Sequence, residues 1–178
     1  MNRALLEAGL AELPVAQYVF FRTEELEFSE RVRIVCQTEC PRYGRSWACP
    51  PAVGTVADCK RRCLAYENGL LISTLTEVRD AADMEETLAT RPAHEAVTRQ
   101  VRQLLLEQGV RPYVLSTESC AICEKCTYPD APCRHPEQMF PCVESHGINI
   151  LPTLEALGVP FQYGENVVSW FSLLFYNG

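Results

Sequence analysis

The chain has 178 residues, 47% of them hydrophobic and 22% charged, with a formal net charge of −7. This is enough apolar material for a core and too little charge for disorder, and the acidic balance argues against a general nucleic-acid binder, which needs a basic face. The N-terminus lacks the apolar core of a signal peptide, and no window of about 18 apolar residues exists to cross a membrane, so the expected location is cytoplasmic.

Asn2 is placed to cap a short helix that runs through Ala8 and ends at Gly9. QYVFF (17–21) and RVRIVC (31–36) are β-branched or aromatic runs and read as strands. The loop CPRYGRSWACPPAVG (40–54) follows, and Thr55 with Asp58 forms a capping box for a helix reaching about Asn68. LLISTL (70–75) reads as a strand. Asp80 is set to cap a short helix over AADMEETLA. Pro92 suits the first turn of a longer helix with an apolar stripe of Ala93, Val97, Val101, Leu104 and Leu105, ended by Gly109. YVLS (113–116) is a further strand, TLEALG a short helix, and VVSWFSLLFY (167–176) a final apolar run. Alternating strands and helices predict an α/β fold: one domain over 1–178, with helices packed on a mixed, partly parallel sheet and two cysteine-rich metal-binding loops.

The ten cysteines carry the chemistry. In a reducing compartment they read as metal ligands ahead of disulfides. Cys120, Cys123 and Cys126 form C-x2-C-x2-C, and Cys133 follows after six residues. Two intervening residues let a tight turn aim both sulfurs at one centre, whereas an extended segment holds them about 10 Å apart. Three such thiols in series, closed by a fourth, are how iron–sulfur cubanes are held. The loop departs from the bacterial ferredoxin run in its longer last spacing and in Arg134 after Cys133. Pro129 and Pro132 keep the longer link ordered. Zinc is the rival, although zinc sites usually separate their thiols into two C-x2-C knuckles. Lys125 and Arg134 would offset the negative charge of four thiolates. His135 reads as an exposed imidazole.

Cys36, Cys40 and Cys49 form a second group beside the Pro/Gly-rich loop, with Tyr43 and Trp47 near Cys49. Cys59 and Cys63 lie four apart on the apolar face of a helix and read as buried side chains. One cubane would strand six thiols, so two sites account for the count better. A site held by Cys36, Cys40 and Cys49 alone leaves one iron without a cysteine, open to substrate as catalytic zinc is. The C-x3-C-x2-C of radical S-adenosylmethionine chemistry, phosphate-binding glycine loops and a zinc-protease motif are all absent. His94 reads as a helix-surface residue, and Glu144 and His146 as second-tier acid–base candidates.

With both groups in hand, the chain resembles a cysteine-rich prokaryotic family of predicted metal-binding proteins, a domain of unknown function common in anaerobes. The matching text is C-x3-C leading to YGRSWACPPAVG, then STESCAICEKCTYPDAPCRHPEQMFPCVESHGI, and the closing WFSLLFY. The resemblance implies metal, as iron–sulfur, on Cys36, Cys40 and Cys49 and on Cys120, Cys123, Cys126 and Cys133. Cys142 stands where that family's motif often has Ser and is not carried over as a ligand. The expected function is a protein holding one or two 4Fe-4S clusters that passes electrons to a redox partner. The alternatives are an enzyme whose incompletely ligated cluster activates a small-molecule substrate, and a zinc-stabilised interaction module.

Overall fold

The computed structural model describes residues 1–178. Helix α1 (Arg3–Ala11) leads into strand β1 (Gln17–Arg22), helix α2 (Glu30–Thr38), the long loop and helix α3 (Val56–Cys63). Strand β2 (Asn68–Glu77), helices α4 (Met84–Ala89) and α5 (Arg91–Glu107), strand β3 (Tyr113–Leu115), helix α6 (Ile150–Ala156) and strand β4 (Val167–Tyr176) complete the chain. The strands form one sheet in the order β1-β2-β4-β3.

The α/β class and the packing of helices on the sheet hold, but the expected parallel pairing does not: all three strand ladders are antiparallel. The continuous apolar runs of β2 and β4 arise because both faces of these central strands are covered, a pattern more usual in parallel sheets. Alternation divides them. Leu70, Ile72, Leu174 and Tyr176 meet α1 and α5 on one face. Leu71, Leu173 and Phe175 meet Cys63, Val143, Ile148 and Leu154 on the other. Register pairs Leu70 with Leu174 and Leu71 with Leu173, so matched layers fall on matched faces.

Several local expectations are corrected. RVRIVC is not a strand but the body of α2. Ser29 caps it, its hydroxyl accepting from Arg31 N at 3.2 Å. Arg33 rather than an apolar residue is the buried anchor, donating to Gly54 O at 2.7 Å and Ser145 O at 2.5 Å, while Ile34 and Val35 stay exposed. That tertiary anchoring overrides the β-propensity of the run. Helix α1 does not stop at Gly9: a Cβ there would meet Leu104 Cδ1 at 2.8 Å, so the glycine serves the close approach of α1 to α5. Helix α3 keeps its capping box but ends at Cys63, because Asn68 and Gly69 already belong to β2. Asp83, not Asp80, caps α4.

His94 is not on the surface. It is 1% exposed, with Nδ1 2.9 Å from Thr74 Oγ1 and Nε2 2.8 Å from Ser172 Oγ. Ala93 is exposed and so not part of the buried stripe of α5, whereas Val97, Val101 and Leu105 are buried as expected.

Candidate metal centre

All ten cysteines are free thiols. Cys120, Cys123, Cys126 and Cys133 line a single small void of about 20 Å³ together with Trp47, Arg134 and His135. The loop is tied internally rather than to the core. Thr127 donates its hydroxyl to Pro132 O at 2.8 Å, Arg134 Nη1 donates to Lys125 O at 2.9 Å, and Ala131 N donates to Thr127 O at 3.0 Å. The thiols within it are not equivalent. Burial, the largest influence, raises Cys120 above the usual thiol range. Burial also acts on Cys126, but backbone N–H groups of Tyr128, Trp47 and Thr127 and the Ser46 hydroxyl outweigh it and favour the thiolate. His135 is half-buried against this void rather than fully exposed.

The N-terminal group forms a second cavity, of about 300 Å³. Helix α2 contributes Cys36 from its last turn, one turn beyond Val32, and the loop that follows contributes Cys40 and Cys49. Two lining residues were missed or left aside in the sequence. Cys142 and Glu144 reach the same cavity from the segment after β3, in a Ser116–Cys142 bridge and the 3₁₀ turn Glu144–His146. No spacing rule connects Cys49 to Cys142. The only sequence signal was the count, which left the group one thiol short.

This cavity sorts its titrating groups. The Cys142 thiol faces the Cys49 sulfur and is the largest influence lowering Cys49 to about 7, helped by the hydroxyls of Ser119 and Ser46 and by Arg42, and opposed by burial. Cys142 is correspondingly pushed up. Cys36 rises to about 11, first through burial and then through repulsion from Cys40 and Glu144. Glu144 keeps part of its surface open to the cavity, yet its carboxyl is enclosed, and burial lifts it to about 7. Beneath Cys142, the Ser145 hydroxyl donates to Cys142 O at 2.6 Å and lies 3.0 Å from His146 Nδ1. With that hydroxyl proton committed to the carbonyl, the imidazole proton sits on Nδ1, and Nε2 accepts from Tyr113 Oη at 2.6 Å. Gly147, at φ 72°, closes the turn where a Cβ would meet Val56 Cγ1 at 2.8 Å.

The two groups are neighbours. Trp47 reaches from the first loop into the second, and a cleft of about 260 Å³ between them is lined by Arg42, Arg45 and Lys125 along with Ser46, Ser119 and Cys120. Cys59 and Cys63 belong to neither cavity. Both are fully buried: Cys63 is in the core and Cys59 lies beneath Arg33 and Arg62, whose Nη2 atoms are 3.7 and 3.2 Å from its sulfur.

In kind, both donor sets fit soft metal chemistry, which favours thiolate. The buried Ser119 hydroxyl lines the N-terminal cavity with no hydrogen-bond partner of normal geometry, although it is close enough to Cys49 to favour the thiolate. It is a donor left for a group held there. No three His, Cys, Asp or Glu side chains converge on a single-ion position. The C-terminal void is scarcely larger than one water, so seating a cluster there requires the loop to spread. Exposed Ala121, Glu124, Lys125 and Asp130 leave one side of the loop free to move, while Trp47 holds its other side at Tyr128 and Ala131.

An antiparallel α/β domain with two neighbouring groups of free thiols beside its sheet defines a cysteine-rich protein with two candidate metal sites. Residues 19–176 match the family model described as predicted metal-binding protein (DUF2284), and the chain belongs to that family. No curated protein and no solved structure matches it. No helix is long and apolar enough to cross a membrane.

Proposed function

We propose that the protein holds an iron–sulfur cluster, of the 4Fe-4S type, in each cysteine group and passes single electrons to a redox partner in the cytoplasm. The observation that carries this reading is the adjacency of two free-thiol groups across a cleft lined by Arg42, Arg45 and Lys125. When bound, such clusters supply one-electron exchange, at a potential set by charge, hydrogen bonds to sulfur and exposure to solvent. The chain's own residues supply those levers. Backbone N–H groups at Cys126 and hydroxyls at Cys49 stabilise negative sulfur, and Trp47 covers the C-terminal thiols. The three cations, set against the single carboxylate of Glu124 in the same cleft, offer an acidic partner a net positive surface on a chain whose net charge is negative.

The cavity of about 300 Å³ with Cys36, Cys40, Cys49 and Cys142 on its wall supports a multinuclear cluster over a single zinc ion at the N-terminal site. A tetrahedral zinc site draws its sulfurs to roughly 3.8 Å from one another, whereas a cubane takes one thiolate at each of four separated irons. A second reading, in which the N-terminal cluster binds a small substrate at an open iron, draws on the roomy cavity that also presents Arg42 and Glu144. Protein purified without oxygen is expected to be brown, with broad visible absorbance that bleaches on dithionite. Colourless protein carrying zinc would overturn both readings.

A further inference from the structure

We propose that Cys142 is the fourth thiolate ligand of the N-terminal site, so that Cys36, Cys40, Cys49 and Cys142 together close the coordination of one cluster. The inference deepens the cluster-binding reading of that site and rests on it. Spacing brings only three thiols to the first group. The fold brings the fourth from the connection between β3 and β4, and all four line the same cavity.

The position of Cys142 is fixed by its backbone. Ser116 N donates to Pro141 O at 2.9 Å, Val143 N donates to Ser116 O at 3.0 Å, and the Ser145 hydroxyl holds Cys142 O. These bonds run directly into β3, so the thiol is presented from the sheet rather than from a loose loop, as a preorganised ligand should be. Its thiol shares the cavity with Cys49 and with the polar Ser119, Glu144 and Arg42, beside the apolar Val32, Val35 and Pro50, so its surroundings are mixed. A cysteine kept only as a small apolar filler would have apolar surroundings, as Cys63 has in the core.

Two carboxylates compete for the role, since Glu118 and Glu144 also line the cavity. Iron in a sulfide cluster takes thiolate in preference to the harder carboxylate oxygen. With Cys142 bound, every iron of the cluster has a protein ligand. The site then has no position for substrate and works as an electron carrier.

The test is anaerobic reconstitution of the full chain with ferrous iron and sulfide, reading iron per chain and the electron paramagnetic resonance spectrum after reduction. Wild type is expected to take up two cubanes, about eight iron atoms. Cys142→Ala should lose up to half of that iron, together with one of the two spectral components. Cys142→Ser preserves side-chain size and so the fold, and should alter the same component. Glu144→Gln should keep the iron content of wild type. Wild-type iron and an unchanged spectrum in both Cys142 variants would overturn the assignment, as would iron loss in Glu144→Gln with none in the Cys142 variants. Failure of wild type itself to take up iron would overturn the cluster reading and this assignment together, and is recognisable because it precedes any substitution.

Discussion

The indole of Trp47 stands edge-on to the ring of Tyr128, 4.9 Å between centroids, and its Nε1 donates to Ala131 O at 3.1 Å. One residue of the N-terminal loop therefore holds two positions of the C-terminal loop, and the two thiol groups are mechanically linked. Trp47→Ala removes an aromatic pair worth about 1 kcal/mol, a hydrogen bond worth about 1 kcal/mol and the cover over four thiols. The expected outcome is a loss of about 2 kcal/mol in denaturant unfolding and a severalfold faster oxygen bleaching of the C-terminal cluster, followed by visible absorbance. An unchanged bleaching rate would show that the indole does not shield the site.

Ligands and buried bystanders separate by iron content. Cys123→Ala should remove one cluster's iron, because Cys123 lines the C-terminal void. Cys59→Ala should leave iron unchanged and destabilise by about 1 kcal/mol, because its thiol is fully buried away from both cavities. The opposite pattern would exchange their roles.

Arg33 is the tie between the helix that carries Cys36 and the turn that follows Cys142. Its guanidinium reaches Gly54 O and Ser145 O from inside the protein. Arg33→Met keeps much of the volume but leaves two carbonyls without that donor, so a loss of about 3 kcal/mol is expected in chemical denaturation. Iron uptake at the N-terminal site should fall, while that at the C-terminal site persists.

His94 makes stability depend on pH. Burial, the largest influence, lowers it from 6.5 to about 4, with Arg91 adding repulsion and the Phe171 backbone opposing. Thr74, Thr98 and Ser172 surround the ring. The folded form holds the imidazole neutral while the unfolded chain protonates it near 6.5. Its contribution is therefore complete above pH 6.5 and is lost as pH falls toward 4, at up to about 1.4 kcal/mol per pH unit. His146, lowered to about 3 chiefly by burial, titrates over the same window. His94→Gln should therefore reduce but not abolish the slope of the stability–pH curve measured by urea unfolding, even if it lowers the plateau.

The cleft cations supply a kinetic test of the partner surface. Reversing Arg45 and Lys125 to Glu should slow association with an acidic electron donor by roughly tenfold at low salt, with the difference shrinking as salt rises. Equal rates at low salt would place docking elsewhere.

What the sequence by itself determined was local. The capping box at Thr55 and Asp58, the apolar runs that became β2 and β4, and the short-range register of Cys120, Cys123 and Cys126 all depend on neighbours a few residues apart. The conformation of 31–36 was not decided locally, because a buried arginine bonded to distant carbonyls outweighed the propensity of its β-branched neighbours. Strand direction was also hidden, since burial on both faces gives parallel and antiparallel strands the same apolar text. Only the tertiary structure brought Cys142 beside Cys49 and set the two loops against each other through Trp47. Those contacts join segments remote in the chain, and nothing in the spacing of residues records which of them the packed sheet will bring together.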